Sequence, residues 1–77
     1  MFDYTLLMPL KKRSFTLSGH RTSIALEPEF WAVLEQEAAR TQRSLAGFVA
    51  SIDQARGGCP LASALRLHAL AHANLKP

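Results

Sequence analysis

His20–Leu26, HRTSIAL, runs directly into Glu27–Leu34, EPEFWAVL, and this junction decides the fold. Thr22, Ile24 and Leu26 alternate with Arg21, Ser23 and Ala25, the two-residue period of a half-buried strand. Pro28 then suits a first helical position, and Glu27 and Glu29 suit the positive end of a helix dipole. A lone strand leaves its backbone groups unpaired, so a strand here requires a partner.

Upstream, Arg13–Leu17 (RSFTL) also alternates, with Ser18-Gly19 as a turn or break before HRTSIAL, which is the better strand of the two. Residues 1–10, MFDYTLLMPL, read as an N-terminal arm. Their positive charges follow the apolar run and Pro9 cuts it short, which does not match a signal peptide. No stretch has the length of apolar sequence needed to span a membrane.

Downstream, three helices are expected. Phe30, Val33, Leu34 and Ala38 recur at helical spacing from about Pro28 to Arg40, and Trp31 widens that stripe. After a break at Thr41–Arg43, Ser44 caps a second helix whose Leu45, Phe48, Val49 and Ile52 follow i, i+3, i+4, i+7. Arg56-Gly57-Gly58-Cys59-Pro60 is a stop and turn, and a third helix runs from about Leu61 to Asn74. The chain reads without an internal repeat or low-complexity run. The organisation expected is an arm at 1–10, a domain at 11–56 and a helical extension at 57–77.

At 77 residues the chain is one small domain, a size that ordinarily supplements its core with disulfides, a metal or a partner subunit. Cys59 is the only cysteine, so no internal disulfide forms, and a reducing, cytoplasmic setting is expected. His68 and His72 are four apart, a spacing metals use, and Cys59 and His20 complete a conceivable set. No Cys-x₂-Cys pattern accompanies them, and no metal or other cofactor is expected. The histidines have no nucleophile at a useful spacing and no glycine-rich phosphate loop follows a strand, so no enzymatic activity is expected.

Net charge is +3, and its distribution says more than its total. Lys11, Lys12, Arg13 and Arg21 lie in and just before the strand region, whereas Glu27, Glu29, Glu35 and Glu37 follow it. Such asymmetry suits a polyanion met by one edge of the molecule. One strand and two amphipathic helices have little core alone. The simplest closure is a two-fold homodimer, mainly α, with strand paired to strand across the axis. That intermolecular ribbon would bury Ile24 and Leu26 of both chains over a four-helix core built from Phe30, Leu34, Phe48, Val49 and Ile52. Its other face would carry Arg21, Ser23 and Ala25, with the width to enter a DNA major groove.

This order of elements resembles the ribbon-helix-helix family of bacterial and phage DNA-binding proteins, in which strands read DNA as in Arc and MetJ. The stretch from Lys11 to about His72 is similar to small alphaproteobacterial members with a GHRTS-type strand, an EPEFW-type helix start and an ID-A-R pattern, here Ile52-Asp53, Ala55 and Arg56. The resemblance implies a cytoplasmic, nucleoid-associated transcriptional regulator, a repressor-type homodimer on double-stranded DNA that can form higher oligomers there. It implies base contacts from Arg21, Ser23 and Ala25. It implies phosphate contacts from Ser44 and Leu45 at a helix start, beside Arg43, with Lys11, Lys12 and Arg13 adding backbone contacts. The alternative is an antitoxin-like or adaptor module on the same dimer, binding a protein partner through the C-terminal helix.

Two departures from the family pattern stand out. The turn between the helices is Thr41-Gln42-Arg43, where many members have glycine. Keeping left-handed geometry there costs about 1 kcal/mol; otherwise the turn differs. Ala25 leaves only two polar residues on the reading face of the strand, so either base discrimination is modest or His20 and RSFTL contribute to it.

Overall fold

A computed structural model describes residues 9–73. The expected arm falls almost wholly outside them. The strand requirement is met within the chain: β1 (Lys11–Leu17) pairs antiparallel with β2 (His20–Leu26) as a hairpin. Ser18 and Gly19 connect them with φ of 51° and 81°, two left-handed residues in the pattern of a type I′ turn. That turn matches the twist of the flanking strands and so fixes a tight register. RSFTL, the weaker of the two alternating segments, is thus a strand as well, and with the two lysines before it pairs with HRTSIAL within the chain.

Three helices follow: α1 (Pro28–Arg40), α2 (Leu45–Ala55) and α3 (Leu61–His72). Pro28 begins α1, and the Glu27 carbonyl accepts from the amides of Phe30 and Trp31. The α1 terminus keeps the left-handed residue that family members give to glycine. Gln42 has φ of 60°, its amide donates to the Ala39 carbonyl, and the Arg43 amide donates to the Ala38 carbonyl. This is a Schellman arrangement, reinforced by the Thr41 hydroxyl on the Glu37 carbonyl. Ser44 caps α2 as expected, its Oγ accepting from the Gly47 amide at 3.0 Å. After α2, Arg56 donates to Asp53 and to the Cys59 carbonyl and so ties the turn into α3.

One core joins all five elements. The inner ribbon face gives Phe15, Leu17, Ile24 and Leu26; α1 gives Trp31, Leu34 and Ala38; α2 gives Phe48 and Val49; α3 gives Leu65 and Ala69. Of the residues expected between two chains, Ile24, Leu26, Leu34, Phe48 and Val49 are thus buried within one, and Phe30 and Ile52 pack partly buried against them. Phe15 and Leu17 of β1 add to the same inner face. α3 shares this core instead of extending away from it.

Candidate nucleic-acid interface

The hairpin register sorts the ribbon side chains onto two faces. Cross-strand partners are Lys12 and Ala25, Ser14 and Ser23, and Thr16 and Arg21, all on the face away from the core. Lys12, Ser14, Thr16, Arg21 and Ser23 are exposed, and Ala25 is half-buried among them. At the centre the Ser14 and Ser23 hydroxyls lie 2.9 Å apart, in hydrogen bond. The three expected base contacts, Arg21, Ser23 and Ala25, therefore share one surface, and the RSFTL segment adds Ser14 and Thr16 to it. Their parity in KRSFTL was available in the sequence once Ser18-Gly19 is taken as a two-residue hairpin loop.

The Lys11–Arg13 run divides. Lys12 sits on the outer face and Lys11 is exposed where the ribbon meets α1. Arg13 has the opposite parity: its guanidinium lies 5.2 Å from the centre of the Trp31 ring and forms an ion pair with Glu35. It is half-buried and set apart from Lys12 by the sheet. Trp31 fixes this edge, because its Nε1 donates to the Lys11 carbonyl at 2.7 Å and its ring packs against Phe15.

Apart from the exposed Glu29, the described carboxylates are consumed internally. Glu27 pairs with Arg66, Glu35 with Arg13, Glu37 with Arg40 and Asp53 with Arg56. Burial pushes the Glu27 carboxyl up, but its own amide and Arg66 outweigh that and hold it below the usual range. The Arg40 hydrogen bond holds Glu37 below it too. Among the described residues, the cations left without a carboxylate partner are Lys11, Lys12 and Arg21 on the ribbon, and Arg43 before α2. Arg43 donates to the Ser51 hydroxyl at 3.0 Å. Next to it, Ser44 and Leu45 open α2, and the Leu45 and Ala46 amides precede the first intrahelical bond, the one from Phe48 to Ser44.

Among the described residues no three His, Cys, Asp or Glu side chains converge as metal ligands, and no helix is long and apolar enough to cross a membrane. His68 and His72 instead stack on each other with ring centroids 4.4 Å apart, while His68 meets the Phe48 ring edge-on. Cys59 carries a free thiol, half-buried in an open groove with Ile52, Ala55, Ala64 and Leu67.

No curated protein and no solved structure matches the chain. A family model does, described as the ribbon-helix-helix domain, and its match spans residues 10–73, covering the hairpin and all three helices. With a two-stranded antiparallel ribbon laid over a helical layer, and a match across most of its length, the chain belongs to the ribbon-helix-helix domain family.

Proposed function

We propose that the protein is a sequence-specific DNA-binding regulator that places its ribbon in the major groove. The observation that carries this reading is the segregation of charge: all the described acids but Glu29 pair with arginines, while the unpaired cations gather on the ribbon and before α2. A two-stranded ribbon fits the major-groove width, and nothing apolar larger than Ala25 interrupts its outer face. Arg21 donates to guanine O6 and N7, Ser23 bonds base edges and Ala25 offers a small apolar contact to a thymine methyl. Lys11, Lys12 and Arg43 meet phosphates, with the helix start at Ser44 and Leu45, where the Leu45 and Ala46 amides precede the first intrahelical bond, suited to a further one. Arg13 contributes through the shape of the ribbon edge, being held by Trp31 and Glu35.

A homodimer, usual for the family, would bring two whole ribbons to the DNA, because each chain closes its own. A second reading, as an adaptor or antitoxin-like module bound through α3, is favoured by Leu67 and Leu70, which are 61% and 59% exposed. A salt titration with mixed-sequence duplex separates the two. Steep loss of affinity with salt supports the DNA reading, and Lys12→Ala then lowers the slope by about 1. Absence of binding even at low salt would sink it in favour of the protein partner.

A further inference from the structure

The inner face of β2 changes character at its turn end. Ile24 and Leu26 on that face are buried in the core. His20 and Thr22 share the same face, set opposite Leu17 and Phe15 by the hairpin register, yet both are polar. Thr22 is half-buried and His20 is exposed. They face the junction of α2 with α3, where with Leu17, Asp53, Arg56 and Leu61 they line an open cavity of about 380 Å³. That volume lies toward the lower end of the range for small-molecule sites.

The charged wall of this cavity is an ion pair with groups to spare. Arg56 gives Nε to Asp53 at 2.7 Å and Nη1 to the Cys59 carbonyl at 2.8 Å. Its Nη2 and the second Asp53 oxygen take no part in these bonds. Both side chains are half-buried, so a ligand meeting them does so partly out of water, where charged bonds are stronger.

We infer that this cavity is a binding site for a free α-amino acid with an apolar side chain. The ion pair decides the class. A lone anion drawn to Arg56 meets the charge of Asp53, and a lone cation drawn to Asp53 meets Arg56. A zwitterion satisfies both, its carboxylate on the free Nη2 and its ammonium on the free carboxylate oxygen. Because those two groups belong to one directly bonded pair, the opposite charges of the ligand must also be close together, as they are across a single α-carbon. The Thr22 hydroxyl and the His20 ring offer further bonds from the ribbon wall, and Leu17 and Leu61 give the apolar side chain its surface.

The site does not depend on DNA binding, whereas its effect on DNA rests on the reading proposed above. His20 and Thr22 flank Arg21, whose side chain leaves the opposite face of the strand. A ligand that ties them to Asp53 and Arg56 braces the turn end of the ribbon against the helical layer. Arg21 is then held more firmly toward a base, so the amino acid tightens DNA binding.

The test is a titration of the whole chain with L-leucine, followed by the NMR shifts of its backbone amides. Leucinamide, which lacks the carboxylate, and 4-methylpentanoate, which lacks the amine, are the controls. L-leucine should move the amides of His20, Thr22 and Arg56 saturably and leave those of Lys11 and Leu26 in place. Each control should bind at least about tenfold more weakly, the loss of one charged hydrogen bond. Asp53→Asn keeps an oxygen for Arg56 but removes the charge, and should weaken L-leucine by a similar factor without weakening 4-methylpentanoate. Equal binding of either control by the wild-type protein overturns the inference, as does a titration in which L-leucine, L-valine and L-phenylalanine all leave these amides unmoved. On a duplex selected from a random pool, saturating L-leucine should tighten binding by about fivefold or more. Unchanged DNA affinity overturns the regulatory effect and leaves the site. Failure to bind any duplex at low salt overturns the DNA reading, while the amide shifts still decide the site.

Discussion

The ribbon and the helical layer handle charge in opposite ways. In the helical layer Arg40 of α1, Arg56 just past α2 and Arg66 of α3 are each matched to a carboxylate within 3.0 Å, and surface pairs of that kind do little beyond local neutralisation. On the outer face of the ribbon Lys12 and Arg21 have no such partner, and hydroxyls stand between them. Arg13 belongs by position to the ribbon and by behaviour to the helices, since it turns inward to Glu35 and Trp31. Strand parity, not proximity in sequence, decides which cations remain available to a partner.

Trp31 is where the two regions are joined, so removing it is the most severe test. It is 1% exposed, packs on Phe15 beneath Arg13, and holds the β1 backbone through the Lys11 carbonyl. Trp31→Ala should cost about 3–5 kcal/mol of unfolding free energy in a denaturant titration. A loss below 1 kcal/mol would show that ribbon and helices are not one cooperative unit.

The two arginines provide the next test, because they differ in face alone. Arg21→Ala should reduce binding to the selected DNA site by about 1–3 kcal/mol relative to random duplex, and change stability by no more than about 0.5 kcal/mol. Arg13→Ala should do the reverse: about 1 kcal/mol of stability is lost with the ion pair and the cation–π contact, and sequence preference persists. Equal effects of both variants on DNA preference would erase the distinction between the two faces.

Why one contrast was legible and the other was not follows from the range of the interactions. HRTSIAL, the Pro28 helix start, the Ser44 cap and the apolar stripes of α1 and α2 are local patterns, and each is found in the structure. The partner of the strand is a non-local choice. Ile24, Leu26 and Phe48 announce that they will be buried, but a pattern of burial does not say within how many chains. The deciding signal was Ser18-Gly19, whose two positive φ values close β1 onto β2 and simultaneously set Ser14 opposite Ser23. Lys11, Lys12 and Arg13 look like a single feature as a run of charges, although alternation alone separates Arg13 from Lys12.

The turns allow a finer comparison, since each region contains one left-handed residue that is not glycine: Ser18 in the ribbon and Gln42 in the helical layer. Gln42 holds this geometry because two backbone bonds of the Schellman arrangement require it. Gln42→Gly removes the Cβ clash, at some cost in unfolded-chain entropy, and should stabilise by about 0.5–1 kcal/mol without altering DNA binding. Ser18→Asn should also stabilise, by less, because asparagine tolerates that conformation better than serine. Thermal midpoints measure both, and a fall on Gln42→Gly would mean that the side chain, not the backbone, sustains the turn.

The smallest effect expected is on pH dependence, and it belongs to the helical layer. His68 is held below the ordinary histidine range, first because it is partly withdrawn from water and second because His72 lies stacked on it; Glu37 opposes both. Arg40 on α1 adds a further positive charge bound to Glu37, and α2 brings the Phe48 ring against His68, with Ser51, Ile52 and Ala55 lining the same groove. With a depressed folded value, the unfolded chain binds the proton more readily, so the stabilisation is present above about 6.5 and is lost as pH falls toward the folded value. Glu27 and Glu37, also lowered, extend the same trend below their ordinary value of 4.5. His68→Gln should therefore flatten the decline in thermal midpoint just below pH 6.5 and leave the acid limb set by the carboxylates in place. An unchanged slope in that upper window would show that His68 meets water as freely in the fold as in the unfolded chain, and that its contact with Phe48 packs without excluding solvent.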